Sequence, residues 1–171
     1  ALVGYLIERT TNICFSEYIN KNIINPLNMN RSGIFIEDDL KDDLALNYIY
    51  SNGIYEKGDE YYHLYTPAGL FRSTVSDMGK FIATLLNDGV YKDERILKED
   101  TVNMIYSTQF TQHPNLEGWT YGFYEYCQNS RRVVMHGGDS ILGYSSMLFL
   151  IPEENTGVFV AMNTYGHDVC D

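Results

Sequence analysis

Basic residues are few in this chain. Twelve lysines and arginines stand against 23 aspartates and glutamates, leaving a net charge of −11 over 171 residues. Nucleic acid and anionic membrane surfaces are held by clustered Lys and Arg, so neither is an expected partner. Cysteines number three (Cys14, Cys127 and Cys170); they cannot all pair with one another, and none forms a C-x-x-C. A cysteine zinc site and a dithiol redox motif are therefore not expected. The histidines His63, His113, His136 and His167 lack the i, i+4 spacing of a helical ligand pair, so no metal and no cofactor is predicted. The acidic run at 37–43 lacks the glycine turn and closing glutamate of an EF-hand loop and reads as a solvated loop. The chain holds no apolar run long enough to span a bilayer, no signal-peptide pattern, no repeat and no interdomain linker. Its length suits one domain or a large part of one.

What is present is 44% hydrophobic residues, enough for a packed core. Leu2, Val3, Leu6 and Ile7 form a helical stripe over residues 2–9. Phe15, Tyr18, Ile19 and Ile23 form a second, which Pro26 stops. Residues 45–50 and 54–62 read as short tyrosine-rich strands or extended loops, with Asn52-Gly53 as the hairpin turn. After the turn-prone stretch 66–70, Ser76 is expected to cap a helix with Met78, Phe81, Ile82, Leu85 and Leu86 on one face, ended by Asn87-Asp88-Gly89. A further helix is expected from Glu99 to Tyr106. The last third reads as four strands, 119–127, 131–136, 144–151 and 157–163, with short links that favour an antiparallel sheet. Trp119 and Phe123 are expected on the strand face against the core. The fold class is α+β, helices first and sheet last. Both ends run directly into apolar elements, so a piece of a longer protein is expected.

One stretch invites a chemical reading. His136-Gly137-Gly138 precedes Gly143-Tyr144-Ser145-Ser146 and an apolar run at 147–151. Two glycines without Cβ atoms let a ligand approach the backbone closely. Read alone, the triplet is better taken as a strand end with a glycine turn.

Four segments, in order, decide between these readings. They are Ala1 to Glu8 with its continuation through Asn25-Pro26-Leu27-Asn28-Met29; residues 67–81, with Pro67-Ala68-Gly69-Leu70 and Ser73-Thr74-Val75-Ser76-Asp77; Asp88-Gly89-Val90 through Ile96-Leu97; and Tyr121-Gly122-Phe123 with His136-Gly137-Gly138 and Gly143-Tyr144-Ser145-Ser146. On these the chain resembles the C-terminal part of the serine β-lactamase-like family, which includes class C β-lactamases, penicillin-binding DD-peptidases and related esterases. The resemblance implies a partial β-lactamase/transpeptidase-like fold. All of 1–171 would be the C-terminal portion of one such domain, with 1–110 mainly helical and 111–171 forming antiparallel strands. It also implies an acyl-enzyme mechanism built from S-x-x-K, Tyr-x-Asn and a K-T-G or H-x-G triplet on a sheet-edge strand. His136 would take the triplet's first position, and the Asp139 backbone amide would be one oxyanion donor. Gly137, Gly138 and Tyr144 would line the substrate.

The first two motifs are not found. No serine has a lysine three residues on, and there is no G-x-S-x-G elbow. Two Tyr-x-Asn triplets occur, at Tyr18-Ile19-Asn20 and Tyr50-Ser51-Asn52. The first reads as a helix face and the second as the hairpin turn. By the resemblance, the nucleophile, its lysine and the tyrosine base lie upstream, so this chain alone is expected to be inactive. The parent would act on a β-lactam, a D-alanyl peptide or an ester. The competing reading is a non-catalytic module of the same fold that binds cell-wall peptide or a protein through Tyr48, Tyr50, Tyr55, Tyr61, Tyr62 and Tyr65. By the resemblance, strands and a helix outside this chain would cover the sheet. An exposed sheet edge and face, with self-association or pairing with the rest of the parent, is then expected. A cell-envelope location is suggested by the resemblance only.

Overall fold

The computed structural model describes residues 1–35, 38–58, 67–140 and 143–165. Expectations resting on Tyr61, Tyr62, Tyr65, His63, His167 and Cys170 lie outside them.

The helical stripes fold as read. Helix α1 spans Leu2–Thr11 and ends on Asn12 in the left-handed conformation, φ 56°. Helix α2, Phe15–Ile19, runs on into a π-helical turn, Asn20–Ile24, before Pro26. Ile24, Leu27 and Met29 are buried there against Met78, Phe81 and Ile96. Strands β1 (Tyr48–Ser51) and β2 (Ile54–Lys57) form the expected hairpin, with Asn52 and Gly53 both left-handed.

Helix α3 covers Val75–Leu86, and its cap is Thr74 rather than Ser76. Thr74 is extended (φ −107°, ψ 158°), and its hydroxyl accepts from the Asp77 amide at 3.2 Å. Ser76 already lies in the first turn. Thr74 and Asp77 have capping-box spacing, which Ser76 cannot reproduce one turn later. The helix ends at Asn87. Gly89 (φ 83°) then turns the chain so tightly that a Cβ there would stand 2.3 Å from the Leu97 carbonyl oxygen. Strands β3 (Val90–Tyr91) and β4 (Glu94–Arg95) form a small hairpin before α4, Glu99–Tyr106.

The main sheet has the order β5-β6-β7-β8, antiparallel throughout: Tyr124–Gln128, Arg131–Ser140, Tyr144–Ile151 and Thr156–Met162. The first strand starts five residues later than expected, because Gly122 (φ 81°) turns the chain and Thr120 donates to the Phe123 carbonyl across that turn. Strand β9, Thr164–Tyr165, pairs in parallel with β1 and joins the small hairpin to this sheet.

Helix α3 lies across one sheet face. Ile82 and Leu85 pack on Val134, Leu148 and Leu150, with Phe123 and Phe159 around them. Each buried aliphatic side chain of this kind contributes about 1.5–3 kcal/mol. Phe123 thus meets the core as expected, but Trp119 does not: it is 58% exposed, beside Tyr124. Trp119 precedes the Gly122 turn and touches the sheet only through isolated bridges, so strand alternation does not carry it inward. On the opposite sheet face, Val158 and Val160 stand open to solvent on β8. No strand is paired to the outer side of β8 among the described residues.

Cys14 and Cys127 are free and exposed. Among the described residues no group of histidines, cysteines and carboxylates could hold a metal ion, and no helix is long and apolar enough to cross a membrane.

Candidate active-site edge

The His136-Gly137-Gly138 triplet lies inside a strand, not at its end. β6 continues through Asp139 to Ser140, four residues past the expected stop. Two features of the ladder define what this segment presents. Asn129 and Ser130, both left-handed (φ 52° and 62°), make a two-residue hairpin turn closed by Gln128 and Arg131. A closing pair of that kind exchanges both ladder hydrogen bonds. With unbroken register, Val133 and Met135 also turn their N–H and C=O groups toward β5. Gly137 and Asp139 continue on that side by the same alternation. β5 stops at Tyr124, opposite Met135, so beyond that point the side is unpaired among the described residues. Among the described residues β6 is therefore covered by β5 along its first half and open on that side along its second. The Asp139 amide faces the open edge, as an oxyanion donor must.

The side chains alternate the other way. His136 and Gly138 share the α3 face with Val134, while Gly137 and Asp139 share the opposite face with Met135. His136 is exposed and meets the Phe123 ring edge-on, with centroids 6.4 Å apart. A Cβ at Gly138 would come within 2.9 Å of Ser146 Oγ, and one at Gly137 within 3.1 Å of Met147 Cε and 3.6 Å of Tyr124 Oη. The missing side chains keep the edge low, so a planar ligand group can lie against the backbone.

Tyr144 sits opposite Ser140 at the start of β7. Its hydroxyl donates to the Ala45 carbonyl at 2.8 Å, which gives it a structural bond on the approach to β1. The other four residues named from sequence are contiguous on β6.

Sequence reading missed the group that holds β5 against β6. Glu125, nearly buried, accepts from Arg132 Nε at 2.8 Å, Arg132 Nη2 at 2.6 Å, Thr108 Oγ1 at 2.6 Å and the Gly118 amide at 2.9 Å. Arg132 also donates to the Tyr106 carbonyl at the end of α4. Burial raises the Glu125 pKa, but Thr108, Arg132 and Gly118 together outweigh it and hold the carboxyl below its usual value. The sequence signal is faint: two opposite charges near each other across a hairpin.

A second hub fixes α3. Asp77, also buried, accepts from the Arg31 amide at 3.0 Å, Ser32 Oγ at 2.8 Å and Lys80 Nζ at 2.7 Å. Burial again raises its pKa, and the Lys80, Ser32 and Arg31 bonds reverse that to a net lowering. The Tyr106 hydroxyl is buried with no hydrogen-bond partner among the described residues. Burial, with Asp88 and Glu153 adding repulsion, pushes its pKa up to about 12.

A groove of about 650 Å³ lies between α3, β3 and the Asn155–Gly157 end of β8. That is the far end of the sheet from Asp139, so the groove is not part of this edge. The chemistry within reach of the edge is carbonyl recognition by backbone amides.

Known proteins share this fold. The family model for β-lactamases matches residues 1–170. A β-lactamase-like protein of Homo sapiens is 25% identical over 169 residues, covering 94% of this chain and 31% of its own length. Another, from Dictyostelium discoideum, is 30% identical over 115 residues, covering 57% and 18%. The octameric penicillin-binding protein homologue from Pyrococcus abyssi superposes with a TM-score of 0.82 at 29% identity, covering 98% of this chain and 37% of that one. A class C β-lactamase from Rhodobacter sphaeroides shares the fold with a TM-score of 0.76 at 15% identity, covering 95% and 53%. The chain thus spans about a third or less of the curated relatives it matches. With its α+β architecture and its match along nearly the whole sequence, the chain belongs to the β-lactamase family.

Proposed function

We propose that this chain is the C-terminal portion of a serine hydrolase of the β-lactamase and penicillin-binding type, supplying the third motif of its active site. The observation that carries the reading is the half-edge of β6, where among the described residues the Asp139 amide meets no strand just beyond His136-Gly137-Gly138. The serine, its lysine and the tyrosine base would come from residues upstream. No serine here precedes a lysine by three, and the matched relatives are longer. The reaction would be acyl transfer. A serine oxygen attacks the carbonyl of a β-lactam, a D-alanyl peptide or an ester; the leaving group takes a proton; water then releases the acid. The Asp139 amide would hold the carbonyl oxygen as it becomes negative, a role worth about 2.7–4 kcal/mol for a single donor. His136, on the α3 face, would add polarity beside the serine.

The open surfaces support the same reading. Leu2 and Val3 on α1 are 69% and 70% exposed, and Val158 and Val160 are open on the sheet. Residues of the longer protein, or a second copy of the chain, would cover them.

The experiment is to express the longer protein, locate S-x-x-K upstream, and measure acylation by a fluorescent penicillin and by chromogenic esters. Labelling of the upstream serine is expected. A longer protein that has no S-x-x-K but still binds cell-wall peptide would favour the non-catalytic module instead.

A further inference from the structure

Asn52-Gly53 is the only asparagine–glycine pair in the chain. It makes the two-residue turn of the β1–β2 hairpin, closed by Ser51 and Ile54, with both residues left-handed (φ 52° and 83°). The pair suits that turn because both positions need positive φ. It also carries a chemical liability. Asparagine is a thermolabile residue, and its side chain is just long enough to close a ring onto the next backbone nitrogen. Glycine has no Cβ to shield that nitrogen. Residues 51–57 are all exposed, and a Cβ added at Gly53 would meet nothing within 4 Å. Among the described residues the Gly53 amide donates to no backbone carbonyl, and β2 pairs with β1 alone. Two-stranded hairpins are marginal by themselves, so the tip opens readily.

Two other turns show what protects a site of this kind. At Asp88-Gly89 the glycine amide donates to the Thr84 carbonyl at 2.8 Å, and the Leu97 carbonyl is packed against the glycine. Asn129-Ser130 is an exposed left-handed turn like the first, but a side chain follows the asparagine, and the strands it joins are tied by Arg132 to Glu125.

We propose that Asn52 is a site of spontaneous modification: its side-chain amide is lost through a succinimide, leaving isoaspartate and aspartate at the hairpin tip. The Gly53 amide gives its proton to a solvent base, and its nitrogen attacks the Asn52 side-chain carbonyl carbon. A C–N bond forms there, and the side-chain nitrogen leaves as ammonia with a proton from solvent. Water then opens the ring. Cleavage between the nitrogen and the side-chain carbonyl gives aspartate; cleavage between the nitrogen and the main-chain carbonyl gives isoaspartate. The sum is amide plus water to carboxylate and ammonium, with no oxidant and no other reactant. Ring closure needs Asn52 to leave the left-handed turn, so the rate follows hairpin opening.

Either product adds a negative charge to a chain already at −11. Isoaspartate also inserts a methylene into the backbone of a turn that sets strand register. The Tyr50–Tyr55 ring pair, with centroids 4.8 Å apart, and the Ile49–Glu56 pairing lose their alignment. The core between α3 and the main sheet contains no hairpin residue, so the change stays local.

Storage of the full-length protein at mildly alkaline pH tests this, read by peptide mapping and by enzymatic methylation of isoaspartyl carboxylates. Within residues 1–171, amide loss is expected first at Asn52, several-fold faster than at Asn129, rising with pH, and with isoaspartate exceeding aspartate. Asn52→Gln, whose longer side chain closes a less favourable ring, should abolish the acidic isoform and leave the fold intact. In the aged isoform, hydrogen exchange is expected to accelerate several-fold at residues 48–57 and to hold at 131–135 and 146–150. Loss at Asn52 no faster than at Asn129, or aspartate formed without isoaspartate, overturns the proposal. So does an Asn52 that keeps its amide in the native protein and loses it only in urea. Unchanged exchange in the aged isoform overturns the loss of register.

Discussion

The two halves of β6 share one backbone conformation and almost nothing else. Residues 131–135 all pair with β5, Val134 and Met135 pair with β7 as well, Val134 is buried under α3, and Arg132 is locked to Glu125. Among the described residues, 136–140 are paired on the β7 side only, and they carry two glycines. The first half is held because its whole length pairs with β5 and its buried side chain, Val134, sits in the apolar core. The second is available because β5 ends at Tyr124. A strand held firmly at one end can present unpaired amides at the other with little freedom to move, which is what preorganised carbonyl recognition needs.

The largest effect that would sharpen this contrast is in the core beneath the first half. Leu150, fully buried opposite Val134, is expected to cost about 2–5 kcal/mol when changed to Ala, because the packed site cannot collapse around the cavity. Urea unfolding of the variant measures it. Next comes Glu125→Ala, expected to cost about 1.5–3 kcal/mol, since it strips partners from Arg132, Thr108 and Gly118 at once. Hydrogen exchange in the variant should rise along β5 and residues 131–135.

The pH dependence has two limbs of smaller size. Asp77 and Glu125 have folded pKa values below their unfolded ones, so their stabilisation is complete above about pH 4. It is lost as pH falls through the folded values. Tyr106 behaves oppositely: its pKa of about 12 in the fold means that stability is intact below the free-tyrosine value of about 10 and declines from there upward. Thermal melts of the parent and of Asp77→Asn and Tyr106→Phe separate the limbs. Asp77→Asn should flatten the acid side and Tyr106→Phe the alkaline side.

The smallest expected change is Gly137→Ala. Its neighbour is the flexible end of Met147, so stability should move by no more than about 0.5 kcal/mol. A cost comparable to that of Leu150→Ala would mean the open half of β6 is packed like the closed half and would break the comparison.

Local patterns made much of the fold legible. The α4 limits, the apolar face of α3 and the Asn52-Gly53 turn followed from periodicity, acidic residues at a helix start and left-handed turn residues. What was not legible depends on distance in the chain. The triplet looked like a strand end because glycine is a poor strand former; pairing with β7 carries the strand through to Ser140 regardless. Trp119 looked like a core residue because of its type, but a turn separates it from the strand that would have buried it. The Glu125 and Asp77 hubs join residues 3 to 46 positions apart, and most of their partners are too distant in the chain for a short motif to announce them. Tyr144 read as a ligand contact from its neighbours; only the fold brings Ala45 to its hydroxyl, 99 residues away in the chain.

The most direct test of the central claim is intact-mass and peptide mapping after exposure to a β-lactam, done on the 171 residues alone and on the longer protein side by side. The expected result is no adduct on the isolated 171 residues and one stable acyl adduct on the longer protein, at a serine upstream of Ala1. Changing Asp139 to Pro, which removes the edge amide, should slow that acylation by about 10²–10³-fold. An adduct on a serine within the 171 residues, or acylation indifferent to the loss of the Asp139 amide, would contradict the account.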